Sequence, residues 1–239
     1  MIAPEVFTFP DPKRLARAAA ETVVEVLRAA LDARGRADVV LTGGSTPAAL
    51  YELLAGDYAH ALDWTKLDVF FSDERHVAHD HRDSNARMAR ETLLDGLVPP
   101  ERVHPFPTGS APDADARAYD RALREHFGDE PAFDLVLLGM GADGHVASLF
   151  PGAPTLDEAA RWAVAAEAPP EMPVRDRLSL TYPVLNAGRV TLFLVTGEAK
   201  RDAVAAVFRD PDRSPPAERV TARDRLLWYL DEAAAGAVR

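Results

Sequence analysis

Short apolar runs alternate with amphipathic stretches along the chain, and this pattern predicts its elements. Continuous runs predict strands, and their lack of polar positions is typical of strands buried on both faces of a parallel sheet. The predicted strands are 5–9, 38–41, 67–71, 133–141, 161–166, 177–181, 190–195 and 226–230.

Helical periodicity fills the intervals between these strands. The first predicted helix begins after Asp11 as its cap, with Pro12 in the first turn, and ends at Gly35. Further helices are predicted from Pro47, from near Ser84, over 113–127, over 201–208 and after the last strand. The alternation predicts an α/β fold, a mainly parallel sheet flanked by helices on both faces. Without a linker or repeat, residues 1–239 are predicted to form one domain.

Composition limits the functional classes. The 239 residues contain 27 Lys and Arg against 38 Asp and Glu, a net charge of −11, and no cysteine. Missing cysteines exclude disulfides, thiol nucleophiles and thiolate metal sites. The acidic balance argues against a nucleic-acid partner, but a locally positive pocket can still bind an anion. No targeting segment or membrane-spanning run is apparent, so a cytoplasmic protein without a membrane partner is expected.

Four polar loops follow predicted strands, at the edge where parallel sheets bind ligands. They are TGGSTP (42–47), SDER (72–75), GADGH (141–145) and TGEAK (196–200). Gly43, Gly44, Ser45 and Thr46 suit either a phosphate cradle at a helix N-terminus or a plain helix cap. They match neither a Walker A loop nor a G-x-S-x-G nucleophile elbow.

The other loops also leave two interpretations open. Arg75 could bind a phosphate, or form a local ion pair with Asp73 or Glu74 in a solvated loop. His145 could act as a general base with Asp143, or cap a following helix. Lys200, one of three lysines, could complete an anion site or be an ordinary exposed lysine.

Two motifs point to cofactors but fit them poorly. The segment 139–144 matches G-x-G-x-x-G, yet Pro151 and Gly152 interrupt the helix that a dinucleotide site requires. The histidines of the other motif match no standard metal-ligand spacing, although a metal stays possible there: His76, His79 and His81. We therefore expect no dinucleotide cofactor, and the histidine spacing argues against a metal.

Taken together, the loops resemble the 6-phosphogluconolactonase family. The matching segments are LTGGSTP (41–47), FFSDERHV (70–77) with DSN (83–85), LLGMGADGHVASLFPG (137–152) and VTGEAK (195–200). The third is the most specific, and Ala78 departs from a common proline. The related deaminases continue after GxGxDGH with Phe-Asn-Glu and have tyrosine where this chain has Arg75. Effector-binding regulators of the same fold carry a helix-turn-helix segment, for which this chain has no spare length.

The resemblance implies a fold like that of ribose-5-phosphate isomerase and glucosamine-6-phosphate deaminase. It implies hydrolysis of 6-phospho-D-glucono-1,5-lactone to 6-phospho-D-gluconate in the oxidative pentose phosphate pathway, without a cofactor. On this hypothesis His145 activates water, and Asp143 and Asp73 orient it or contact sugar hydroxyls. The turn that starts at Gly141 donates N–H groups to the oxyanion. The expected phosphate anchor is Gly43, Gly44, Ser45, Thr46, Arg75 and Lys200. A monomer is favoured, with the oligomeric state left open.

Overall fold

The computed structural model describes residues 2–209, 214–236 and 238. Its strands are β1 (Glu5–Phe9), β2 (Ala37–Leu41), β3 (Leu67–Phe71), β4 (Asp73–Arg75), β5 (Leu135–Leu138), β6 (Ala163–Glu167), β7 (Asp176–Leu180), β8 (Val190–Val195) and β9 (Arg225–Asp231). Its α-helices are α1 (Pro12–Arg34), α2 (Ser45–Ala55), α3 (Asn85–Ala89), α4 (Pro112–Phe127), α5 (Tyr182–Leu185), α6 (Arg201–Arg209) and α7 (Glu232–Ala235).

Six strands form one sheet in the order β1-β9-β8-β5-β2-β3, and every neighbouring pair is parallel. Strands β2, β3, β5 and β8 are buried along their whole length, as their continuous apolar sequences predict. The predicted α/β class is confirmed. The assignment of the whole chain to one domain stays a prediction.

A second, three-stranded antiparallel sheet has the order β4-β7-β6. The prediction that residues 72–75 form only a loop was therefore wrong, because Asp73–Arg75 pairs with β7. Local sequence gives no sign of this short polar strand, since its hydrogen-bond partners lie about a hundred residues away. The pairing sets Arg75 directly opposite Arg177.

Local signals explain the limits of the helices. The Asp11 side chain accepts a hydrogen bond from Arg14 N at 2.9 Å, and Gly35 ends α1 in the left-handed region with φ 70°. Helix α1 then packs along strands β1, β2, β5, β8 and β9. Helix α2 begins at Ser45, two residues before the predicted Pro47.

The predicted strand 133–141 is shortened to Leu135–Leu138, because the chain turns into a loop at Gly139. All six strands of the main sheet run in the same direction, so the loops that follow β2, β3, β5 and β8 meet at one edge. None of the described helices combines the length and the apolar character that a membrane crossing needs.

Candidate active site

A cleft of about 350 Å³ lies at the carboxyl edge of the main sheet. Its size is that of a pocket for a small metabolite. The four loops after β2, β3, β5 and β8 line it, together with β7. Among its lining residues are most of the predicted site residues: Gly43, Gly44, Ser45, Thr46, Asp73, Arg75, Gly141, His145 and Lys200.

His145 is oriented by Asp143. The imidazole Nδ1 lies 2.6 Å from Oδ1 of Asp143, and the main-chain N–H of His145 donates to the same oxygen at 3.1 Å. An ionised carboxylate only accepts hydrogen bonds, so Nδ1 carries the proton and Nε2 holds a free lone pair. Partial burial acts to raise the pKa of Asp143, but the hydrogen bond and charge of His145 outweigh it and hold that pKa below its ordinary value.

The loop around His145 is a tight turn that has no room for a side chain at Gly141 or Gly144. Gly141 N–H donates to the His145 carbonyl at 2.9 Å, and Gly144 N–H donates to the Gly141 carbonyl at 3.1 Å. A Cβ on Gly141 would overlap both the imidazole and the Asp143 carboxylate. Both glycine N–H groups are used inside the turn. That N–H groups of the turn 141–144 donate to an oxyanion stays a prediction. No helix follows His145 before Pro151, so His145 is not a helix cap.

Asp73 belongs to a buried hydrogen-bond network beside this turn. Its carboxylate accepts from Ser148 Oγ at 2.7 Å, Ser72 Oγ at 3.2 Å and Asn85 Nδ2 at 3.3 Å. Asp143 alone of the two predicted aspartates bonds His145 within the described residues. In this structure Asp143 therefore orients His145 and Asp73 braces the loops, while contact of either with sugar hydroxyls stays a prediction.

Glu74 fixes the start of α3 and, through it, Asn85. Its buried carboxylate accepts from the main-chain N–H of Asn85 at 2.6 Å and of Ala86 at 2.8 Å. Burial raises the pKa of Glu74, although these N–H groups oppose the shift. The Asn85 side chain in turn donates to the Asp73 carbonyl at 2.9 Å and accepts from Arg75 Nη1 at 2.5 Å. Asn85 lines the cleft, although its position in the DSN segment gives no local sign of a functional role.

The GGST loop supplies the N-terminus of α2. The first main-chain hydrogen bond at this end joins Ala48 N to Gly44 O, so the N–H groups of Ser45 and Thr46 precede it. Gly44 has φ 113°, and a Cβ on Gly43 would overlap the Asn85 side chain. This helix end is a suitable place for an anionic group.

Three cations line the cleft: Arg75, Arg177 and Lys200. Among the described residues, none of them has a carboxylate within ion-pair distance. Arg75 bonds the Asp83 carbonyl and Asn85, and Arg177 donates through Nε to the Val174 carbonyl.

Arg177 is the functional candidate that the sequence reasoning missed. It is only 7% exposed, and burial together with the charge of Arg75 lowers its pKa. Burial likewise lowers the pKa of Lys200, with Asp143 opposing the shift. Arg177 begins the segment RLSL (177–180), whose sequence gives no local sign of a functional role. Strand pairing brings Arg177 next to Arg75, and this pairing is not visible in the local sequence.

The three histidines considered for metal binding do not converge. His76 Nε2 lies 2.9 Å from Asp115, His79 Nε2 lies 2.8 Å from the Phe106 carbonyl, and His81 lies beside Asp83. Each ring has its own partner, so this segment does not form a shared ligand set in the described structure.

Comparison with known proteins identifies the family of this chain. The profile of the family described as glucosamine-6-phosphate isomerases/6-phosphogluconolactonase matches residues 10–228. The 6-phosphogluconolactonase of Synechocystis sp. is 39% identical over 242 residues, covering 98% of each chain. That of Mycobacterium tuberculosis is 40% identical over 237 residues, covering 95% of each.

Solved structures give the same picture. The 6-phosphogluconolactonase from Trypanosoma cruzi has a TM-score of 0.91 at 30% identity, over 99% of this chain and 97% of that one. A monomeric glucosamine-6-phosphate deaminase, 18% identical with a TM-score of 0.79 over 97% of this chain and 98% of its own, shares the fold. The chain therefore belongs to the glucosamine-6-phosphate isomerase/6-phosphogluconolactonase family.

Proposed function

We propose that this protein is a 6-phosphogluconolactonase, which hydrolyses 6-phospho-D-glucono-1,5-lactone to 6-phospho-D-gluconate in the oxidative pentose phosphate pathway. One observation carries the proposal. His145, oriented by Asp143, lines the same small cleft as three cations that have no described carboxylate within ion-pair distance. A base and an anion-binding site side by side suit a substrate that is both a lactone and a phosphate ester.

His145 acts as the general base. Its Nε2 takes a proton from water while the water oxygen bonds C1 of the lactone. The C1–O5 bond of the tetrahedral intermediate then breaks, and the imidazolium returns the proton to the ring oxygen. The carboxylic acid product ionises to solvent. A positioned base of this kind typically contributes about 10²–10⁴-fold to the rate.

The cationic side of the cleft holds the phosphate. Arginine forks bind phosphate oxygens in pairs, and the N–H groups of Ser45 and Thr46 add the helix terminus. Arg75, Arg177 and Lys200 are available for this because none is neutralised by a described carboxylate. Fixing the phosphate positions C1 near His145, which makes the attack of water nearly intramolecular.

The residues after the catalytic turn favour lactone hydrolysis over deamination. The chain continues Ala147-Ser148-Leu149-Phe150-Pro151, and Ser148 is used to hold Asp73. A glucosamine-6-phosphate deaminase is the second candidate, and the deaminase fold likeness is its support.

The deciding experiment measures lactone hydrolysis by the purified protein above the spontaneous rate, with deamination of glucosamine 6-phosphate assayed in parallel. We expect catalysed lactone hydrolysis and no ammonia release. His145→Ala should lower kcat by about 10²–10⁴-fold with little change in KM. Exposed His60 provides the matched control, and His60→Ala should retain full activity. Near-normal turnover of His145→Ala would remove the general base, and ammonia release would replace the proposal by the deaminase.

A further inference from the structure

A second cluster of titratable side chains lies at the amino edge of the main sheet, opposite the cleft. Asp38 and Asp68 are each the second residue of their strands, β2 and β3, and they are direct partners in the parallel register. Their carboxylates are buried. Neither has a part in the proposed hydrolysis.

Each of these aspartates is met by a histidine from another element. His126, in the last turn of α4, places Nε2 2.6 Å from Asp38 Oδ1. His104, in the loop before α4, places Nε2 2.9 Å from Asp68 Oδ1. One ligand atom each from Asp68, His104 and His126 lie within 4.8 Å of one another. Three potential ligands from three segments therefore converge at one place, and the Asp38 carboxylate lies beside them against His126.

The charge at this place favours a cation. Asp68 has an ion pair with Arg102, whose Nη1 lies 2.7 Å from Oδ2. Asp38 has no arginine or lysine within ion-pair distance among the described residues, and its partner is His126. With neutral imidazoles, two carboxylates face one guanidinium, which leaves a net negative charge.

The surroundings hold the side chains in position. The His104 ring stacks on Phe70 at 4.5 Å, and Phe127 contacts the His126 ring at 4.5 Å. Arg102 holds the outer oxygen of Asp68 and leaves Oδ1 directed at His104, as outer partners of metal-binding carboxylates do. The two histidine side chains are 31% and 20% exposed, which gives an ion a route from solvent.

We propose that Asp68, His104 and His126 bind a divalent transition cation of the zinc class, with the Asp38 carboxylate beside His126 adding negative charge. Two imidazole nitrogens and one carboxylate oxygen, with water as the fourth ligand, suit Zn²⁺ or Co²⁺, whereas Mg²⁺ and Ca²⁺ prefer oxygen ligands alone. Zinc bonds of about 2.0–2.1 Å need ligand atoms about 3.3 Å apart, so side-chain rotations of about an ångström complete the site.

Binding changes the tautomer of both rings. In the metal-free protein each Nε2–H donates to its carboxylate. With the ion bound, Nε2 gives its lone pair to the metal and the ring N–H is on Nδ1. The ion would clamp β3, α4 and the His104 loop together. This proposal is independent of the catalytic cleft.

Co²⁺ is the probe for the first test, because a four-coordinate site gives it intense visible absorption. The full-length chain carrying His145→Ala is titrated, so that the catalytic histidine cannot contribute. We expect one saturable equivalent, displaced by Zn²⁺. Adding His104→Gln and His126→Gln should abolish it, Arg102→Ala should weaken it about 10-fold, and His60→Ala should leave it unchanged. No saturable absorption, or absorption that survives loss of both histidines, overturns the proposal.

A second measurement needs no substitution in the cluster, so it is unaffected if those variants fold poorly. Long-range ¹H–¹⁵N spectra of the unaltered protein report the tautomer of each of its seven histidines. One equivalent of Zn²⁺ should convert His104 and His126 to the Nδ1–H form and raise the thermal midpoint. Spectra in which neither ring responds refute the site.

Discussion

Arg75 and Arg177 lie directly opposite each other across the antiparallel pair β4 and β7. Like charges in this position ordinarily destabilise a sheet. Here no described carboxylate compensates them within ion-pair distance, and Arg177 is almost completely buried. Two like charges that face a cleft lower the stability of the folded protein. Such an arrangement is expected where an anion binds, because the ligand supplies the missing negative charge.

Arg177→Met should therefore separate binding from stability. Charged hydrogen bonds contribute about 1.5–3 kcal/mol, so KM for the phosphorylated lactone should rise about 10- to 150-fold with a smaller change in kcat. The thermal midpoint should not fall, because a buried unpaired cation is removed. Steady-state kinetics and a thermal melt test this, with exposed Arg175→Met as the matched control. An unchanged KM would exclude Arg177 from the phosphate site.

Asp143→Asn tests how His145 is oriented. An asparagine side chain can donate to Nδ1, which would place the ring proton on Nε2 and remove the base. We expect kcat to fall about 10²–10⁴-fold while the fold is preserved. The exposed Asp202, on the neighbouring helix α6, provides the control Asp202→Asn. If Asp143→Asn keeps wild-type kcat, the carboxylate does not set the tautomer.

Gly141→Ala tests the space requirement of the catalytic turn. The added methyl would overlap the His145 ring and the Asp143 carboxylate, so both must move and kcat should fall strongly. Gly139→Ala is the control in the same loop, because a Cβ there meets no atom within 4 Å. Kinetics with circular dichroism distinguish a displaced base from a misfolded chain. Equal activity of the two variants would contradict the geometry described for the turn.

The lowered pKa of Lys200 predicts that anion binding depends on pH. Burial lowers its pKa, so the ammonium charge is complete below that lowered pKa and is lost as pH rises through it. Affinity for 6-phosphogluconate, followed by calorimetry, should therefore begin to decrease at a pH below the ordinary lysine range. Lys200→Arg should keep its affinity over the same pH interval, because arginine stays protonated. An identical profile for both proteins would remove Lys200 from the site.

EDTA should leave lactone hydrolysis unchanged. Within the described residues, the one group of side chains close enough to share a metal is Asp68, His104 and His126. That group lies at the far edge of the sheet, while His145 is oriented by a carboxylate rather than an ion. Activity is measured before and after chelation, with added Zn²⁺ as the reverse step. Loss of activity that zinc restores would require a metal in the cleft.

The sequence by itself determined the main strands and the loops that follow them. Apolar runs such as Val39–Leu41 and caps such as Asp11 and Gly35 depend on near neighbours in the chain, so they are visible in a linear pattern. His145 and Asp143 are two residues apart, and the segment GADGH (141–145) that contains both predicts the turn between them. Contacts between residues this close in the chain can be predicted from the sequence.

The tertiary structure alone decided the relationships between distant segments. Arg177 faces Arg75, Asn85 joins Asp73 to Arg75, and His126 contacts Asp38 only after the sheet has formed. Strand register and helix packing set these contacts, and they depend on the burial of the whole core rather than on any short window. The net charge counted from the sequence is −11, whereas the fold places three cations in one cleft without a described carboxylate in ion-pair distance of them.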